Sequence, residues 1–459
     1  MMSSMYTGIS GMKTHQTKLD IISNNISNIN TVAYKSGRPT FSDMFSRTVQ
    51  SARGADGTGR APTNPIQMGL GVKLASIDKN TKIGGAQFTG RPLDVMLMDK
   101  GYFIVGKDNG PEFLTRAGNF SLDGQGNLNV LGNVVYGWGT TLNAETQEYE
   151  VNENGDLYPI RIAGEMATIP PTSTTRIDLT GNIDIESREA VESSIKFYDS
   201  NGDEYTAQIV FSFNEEHSAW AYDLKQDEAG NRIAYKQGER VDLAFSPELG
   251  QNAQFSPLGY LAFNSGGILT TLGTGDNLLS PPENVPEGRI RANLYVSEAG
   301  TEEGTQSATF GSGGAITLDF TNLTQFFGIS TATSEAADGS RQGDLKDMMI
   351  STNGTIVGSY SNGKTRNLWQ IAVADIPNAS GLEQKGGNLY ALSANSGGSE
   401  GAAWNTKIGY IQSGSLEMSN TDLPYEITQI ITAQRGFQAN TKIITISDEM
   451  IQTASNLKR

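Results

Sequence analysis

The stretch Gly358–Thr365, GSYSNGKT, satisfies the G-x-x-x-x-G-K-[ST] pattern of a phosphate-cradling loop letter for letter. Such a loop works only between a strand and a helix, because backbone N–H groups and the helix N-terminus must face the phosphates. The residues that follow, RNLWQIAVADI, read as β, and IAVAD begins too soon after Thr365 to leave room for a helix. Asn362-Gly363 is therefore read as a hairpin turn, and nucleotide binding is not expected. Asp199, Asn201 and Asp203 imitate the opening of a calcium loop, yet its sixth position is Glu204 rather than Gly and its twelfth is Val210 rather than Glu. Asp123, Gln125 and Asn127, and likewise Asn152, Asn154 and Asp156, lie in similar Gly-bearing turns and are read as hairpins. His15 and His217 are the only imidazoles and there is no cysteine, which removes thiolate zinc sites, disulfides and thiol nucleophiles together. H-E-x-x-H does not occur, and no carboxylate pair stands out from the acids spread along turns. No enzyme activity, metal or cofactor is expected.

Composition bounds the remaining classes. At 459 residues, 37% hydrophobic and 18% charged, the chain is long enough for two to four globular domains. Gly 53 against Pro 15 suits a turn-rich β protein. A net charge of -16 repels nucleic acid and anionic lipid, and no apolar run is long enough to span a bilayer. The acidity lies in the body, because residues 1–60 hold Lys13, Lys18, Lys35, Arg38, Arg47, Arg53 and Arg60 against only Asp20, Asp43 and Asp56. No apolar core of a secretion signal follows the first residues, so composition alone reads as cytoplasmic.

Two amphipathic segments stand at the ends. Leu416, Leu423, Ile430, Phe437, Ile444 and Ile451 recur every seven residues, with Ile443, Met450 and Leu457 as a second row beside them. Thr421 or Asp422 can cap the start and Pro424 is tolerable in a first turn, so a helix of about 36 residues would run roughly 54 Å. From Met5 the apolar positions step through Ile9, Met12, Leu19, Ile22, Ile26 and Ile29, again with helical period. The asparagines of NNISNINT (24–31) mark its stop, since Asn tolerates the left-handed conformation of a helix C-terminus. Both ends are candidate coiled-coil helices.

Everything between them reads as β. Residues 31–75 lack sustained periodicity and RGADGTGRAPTNP (53–65) reads as an exposed linker or extended arm. Strand-like runs follow from Val72 to Trp138 and return from Met348 to Leu392, and the intervening stretch has its own strand rhythm around the Asn201-Gly202 turn. The expected fold is mainly β with terminal α-helices, nested and discontinuous. A terminal helical domain (1–30 and 416–459) encloses a linker or arm (31–75), an inner β domain (76–150 and 338–415) and an inserted outer β domain (151–337), the last an antiparallel sandwich or barrel of one or two domains.

The ends then suggest a family. TGISGMKTHQTKLDIISNNISNINTVAYKSGRPTF (7–41) resembles the N-terminal signature of bacterial flagellar rod and hook proteins, and IQSGSLEMSNTDLPYEITQIITAQRGFQANTKIITISDEMIQTASNLKR (411–459) their C-terminal one. RPLDVMLMDKGYFIV, LTRAGNFSLDGQGNLNV, NGTIVGSYSNGKTRNLWQIAVADI and GLEQKGGNLYALSANSG resemble the two halves of the shared β domain. FSDMF (41–45), IKFYDSNGDEYTAQIVF and LAFNSGGILT, within a large middle domain, resemble the hook branch rather than the shorter rod branch. The resemblance implies a subunit that polymerises into the flexible tubular hook between basal body and filament, a universal joint transmitting torque. It implies contacts with its own copies, with rod, hook-cap and hook–filament junction proteins, and with the flagellar type III export apparatus, which exports without cleaving a signal peptide to an extracellular site. No nucleic acid or membrane insertion is implied; the alternatives are a distal-rod protein and, further off, a flagellum-delivered adhesin. Leu19, Ile22, Ile26, Ile29, Leu423, Ile430, Phe437, Ile444 and Ile451 are expected to form the helical seam. The chain departs from the family in lacking the Cys that some hook proteins cross-link to a Lys, and in Pro424, which implies a later start for the C-terminal helix than in relatives.

Overall fold

The computed structural model describes residues 2–54, 63–107, 110–143, 149–152, 156–216, 218–228, 232–236, 238–246, 257–274, 291–298, 315–397 and 410–456. Asn154, His217, Leu457 and residues 55–62 of the arm lie outside the described residues. The chain divides into two units. One comprises 1–163, 347–358 and 365–459, and the other 164–346 and 359–364.

The first unit is built on two helices, α1 (Met2–Ser27) and α2 (Leu423–Asn456). They run antiparallel, since Ser4 meets Ser447 while Asn25 meets Glu426. α1 stops where its asparagine side chains compete for the backbone: Asn28 donates from both its N–H and its side-chain amide to the Asn24 carbonyl. Contrary to the expected left-handed stop, none of these asparagines takes positive φ; the left-handed residue is Ala33, at φ 57°. At the start of α2, Tyr425 N–H donates to Asp422 Oδ1 (3.3 Å) and Glu426 N–H to the Asp422 carbonyl (3.0 Å). Pro424 sits inside this first turn, where its missing N–H costs nothing, and the helix begins at Leu423, one residue before it.

Leu416 is not the first member of the α2 stripe. It lies buried in the strand Ser415–Glu417, which pairs antiparallel with Ala86–Phe88. Its seven-residue spacing from Leu423 spans the break between strand and helix, so the two side chains share no helical face.

Residues 31–75, read as linker or arm, carry hydrogen-bonded strands. Gly37–Asp43 pairs with Val72–Lys79, and Ser46–Gln50 with Ile66–Gly69. Phe45, Val49, Ile66 and Met68 remain exposed on this ribbon. A strand exposed on both faces has no in–out alternation to display, which is why the period-2 signal is missing.

The rest of the first unit is an antiparallel sheet in which Thr365–Ile371, Asn133–Leu142, Tyr102–Gly106, Glu112–Thr115, Leu389–Ala391 and Glu383–Gly386 lie side by side. Phe103 packs edge-to-face on Phe120 with centroids 5.1 Å apart, and Leu97, Val105, Leu128, Val135 and Ile160 fill the space around them. The backbone packs closely as well: a Cβ at Gly118 would lie 1.9 Å from the Val95 carbonyl oxygen. Gly118→Ala is expected to destabilise this unit by about 1–3 kcal/mol, read as a lowered denaturant midpoint.

The second unit, a compact body of residues 164–346 with 359–364, is built round one eleven-stranded sheet. Val191–Tyr198 and Glu204–Asn214 make a hairpin about Asn201-Gly202, with Gly202 at φ 87°. Phe197, Phe211, Trp220, Tyr222 and Phe320 form the centre of its core. The sheet is not wholly antiparallel, because Arg176–Asp184 runs parallel to Ala315–Phe326. A parallel pair requires a long crossover, and here most of the unit lies between the two strands.

Candidate assembly interface

The segments that suggested chemistry are turns whose polar groups serve the fold. In Gly358–Thr365, Gly363 N–H donates to the Tyr360 carbonyl and Tyr360 N–H to the Lys364 carbonyl, both at 3.0 Å, and the residues after the turn form a strand. The Lys364 ammonium is used at 3.0 Å by the Asp338 carbonyl and at 3.2 Å by Thr172. Asp199 Oδ1 accepts from the Asn201 and Asp203 amides, and Asp203 pairs with Lys236 at 2.6 Å. Asp123 is pulled down to about 2 by the Asn127 side chain and the turn amides that donate to it. Among the described residues no group of three or more His, Cys, Asp or Glu is placed to hold a metal ion, and no helix is long and apolar enough to cross a membrane.

What the terminal segments build is a close helix pair with a small and polar seam. On α2 the buried positions are Glu426, Ala433 and Ser447, with Asn440 completing the same seven-residue row. They face Ser4, Gly8, Gly11, His15, Lys18, Ile22 and Asn25 of α1, which step by four and three. Ser4 Oγ lies 3.3 Å from Ser447 Oγ, Lys18 Nζ donates to Gln429 Oε1 at 2.7 Å, and Asn25 Nδ2 donates to Glu426 Oε1 at 2.9 Å. A Cβ at Gly11 would stand 2.7 Å from the Asn440 amide, and one at Gly436 would stand 2.5 Å from the His15 ring. These glycines permit an approach that side chains would block, which offsets their cost of about 1 kcal/mol each in a helix. Burial and the nearby Asp422 carboxylate push the Glu426 carboxyl up, against the Asn25 amide that favours its charged form.

The expected seam residues lie in and beside this row: Ile444 reaches α1, its Cγ1 3.2 Å from where a Cβ of Gly8 would stand. Of Leu19, Ile22, Ile26 and Ile29, only Ile22 is fully buried; the others are half-buried. Ile430, Phe437, Ile444 and Ile451 are half-buried along the edge of the α2 row, and Leu423 is exposed. A search for apolar periodicity overlooks Glu426, Ala433, Asn440 and Ser447 because they are small or polar. Gly8, Gly11 and Gly436 carry the sequence signal of this close packing, since each is costly in a lone helix. Further out, Tyr6, Ile9, Tyr425, Ile427, Ile431, Ile443, Ile446 and Met450 stay exposed on the two helices.

The roots of both helices are tied to the β sheet by one buried carboxylate. Glu417 is fully enclosed and meets Lys35 Nζ at 2.6 Å and Arg116 Nε at 3.0 Å, both of those cations being 4% exposed. Gly84 N–H donates to Glu417 Oε1 at 2.9 Å, and Arg116 also donates to the Gly101 and Asp99 carbonyls. Burial opposes ionisation of Glu417, but Arg116 and Lys35 outweigh it and hold the carboxyl below the usual glutamate range. Asn25 adds a second tie, donating to the Gly37 carbonyl and accepting from Gly37 N–H and Tyr34 Oη.

Four segments match known families. Residues 5–35 match "Flagella basal body rod protein", 96–158 "Flagellar hook protein FlgE/F/G D1 domain", 168–340 "Flagellar basal body protein FlaE D2 domain", and 412–457 "Flagellar basal body rod FlgEFG protein C-terminal". The flagellar hook protein FlgE of Treponema pallidum is 32% identical and that of Borreliella burgdorferi 33% identical, in each case over 100% of both chains. A solved structure of Helicobacter pylori flagellar hook protein FlgE2 aligns with TM-score 0.37 and 15% identity, covering 72% of this chain and 100% of that one. With relatives matched from end to end at this identity, the chain belongs to the flagellar hook protein FlgE family, a structural rather than enzymatic one.

Proposed function

We propose that this structural subunit polymerises through its helix pair, with α1 and α2 lining a hollow, flexible tube that transmits torque from rod to filament as a universal joint. The observation that carries the reading is the division of labour on the helices. They satisfy each other through small and polar groups, and leave Ile9, Ile427, Ile431, Ile443, Ile446 and Met450 exposed for neighbouring copies. Such a row of large apolar side chains costs solvation energy until a second surface covers it. Leu19, Ile26, Ile29, Leu423, Ile430, Phe437, Ile444 and Ile451 flank this surface and, with Ile22, complete the helical wall. The β domains form layers around the helical wall whose weaker, more polar contacts slide as the tube bends. Rod, hook-cap and junction proteins meet the ends of the polymer, and the subunit leaves the cell through the type III apparatus with its N-terminus uncleaved.

Because the chain has no cysteine, single thiols report on burial cleanly. Ile443→Cys is expected to react with a maleimide in the soluble subunit and to be protected in the polymer. Equal labelling in both states would place the helix face outside the assembly. A straight polymer would favour the distal-rod alternative over a hook.

A further inference from the structure

We propose that the contact of His15 with Gly436 is an acid-sensitive clasp of the helix pair, released when the imidazole takes up a proton. The ring of His15 lies where a Cβ of Gly436 would be, 2.5 Å from Cε1 and Nε2, so the two helices close on the imidazole itself. Its Nδ1 is buried without a hydrogen-bond partner among the described residues. A neutral ring tolerates that position; a cation there would carry a buried, unsatisfied N–H. Among the described residues no carboxylate acts on the ring. On α1 the charge acting on the ring is Lys18, itself engaged with Gln429. On α2 the flanking seam residues Ala433 and Asn440 are uncharged and Arg435 adjoins Gly436, while Glu426 is taken by Asn25 about 15 Å along the helix. The ribbon packed on α1 brings Arg38, Asp43, Lys73, Asp78 and Lys79, touches the helix at Ser10 and Ile21, and pairs its Asp78 with Arg38.

Burial, with Lys18, holds the imidazole below its ordinary 6.5. The separated helices then bind the proton more readily than the paired ones, so pairing is fully stable above about pH 6.5 and weakens as pH falls toward the lowered value. Glu426 has the opposite sign: its raised carboxyl favours the paired state when protonated, so it cannot mimic acid release.

The polymer readout rests on the assembly reading above. Full-length chain is assembled and the concentration left unpolymerised is measured by sedimentation from about pH 7.5 to about pH 5.5. For the unaltered chain it is expected to rise by up to about tenfold per pH unit at the steepest point, one proton per subunit. For His15→Gln it is expected to stay level or fall slightly. Parallel curves for the two chains would overturn the clasp. If His15→Gln fails to assemble even at the upper pH, NMR titration of selectively labelled histidine in the unaltered polymer decides: a His15 midpoint below 6.5 supports the clasp, and one at or above 6.5 overturns it. If the unaltered chain forms no polymer at all, the assembly reading fails. The same titration on the soluble chain then decides the clasp by the same criterion.

Discussion

Ile446→Asp is expected to abolish polymerisation while leaving both β units folded. Ile446 is 44% exposed in the single subunit, so the new carboxylate stays in reach of water there. In the assembly proposed here its face is covered by another copy, where an unpaired carboxylate costs about 3 kcal/mol or more per contact. That raises the concentration needed for assembly by more than about 100-fold, since each 1.4 kcal/mol or so is a factor of ten. Sedimentation should find no polymer, cells carrying the variant should be non-motile, and the thermal transitions of the soluble protein should match those of the unaltered chain. Normal polymer from Ile446→Asp would remove the exposed helix face from the assembly surface.

Glu417→Ala is expected to have the largest effect on the subunit itself. Removing the carboxylate leaves Lys35 and Arg116 as buried cations with no counter-ion, and breaking a buried pair in this way costs about 3–5 kcal/mol. The loss should appear as a lowered denaturant midpoint of the first unit, with the second unit unchanged. The pH dependence has a definite sign. Because Arg116 and Lys35 hold the folded carboxyl below the ordinary 4.5, its contribution is present above that value and is lost as pH falls through the folded one. The unaltered chain should therefore show an acid-induced loss of stability below about pH 4.5 that Glu417→Ala lacks. If the variant retains the same acid transition, the cluster is not what ties the helix roots to the sheet.

Both helices were legible from a 3.6-residue apolar period, and the Asn201-Gly202 hairpin from its turn residues, because in each case burial leaves a mark on residue type. The strands Ser46–Gln50 and Ile66–Gly69 left no such mark, since a strand solvated on both faces needs no alternation. The stripe through Leu423 and Ile451 was visible as a face that avoids water. Periodicity cannot say whether the helix of the same chain or of another copy covers such a face. The close approach of α1 and α2 was legible at Gly8, Gly11 and Gly436, which are costly in a lone helix. Ala433, Asn440 and Ser447 escaped because hydrophobic counting treats such residues as blanks. The Glu417 cluster escaped because Lys35, Arg116 and Glu417 lie far apart in the chain, and nothing local marks a distant ion pair.

The central claim is that the chain by itself builds a flexible tube from its paired terminal helices. Electron microscopy of polymer assembled from the purified chain tests it most directly. Curved, hollow tubes with the helix pair at the inner wall are the expected result; straight rods, or no polymer under any assembly condition, would contradict it.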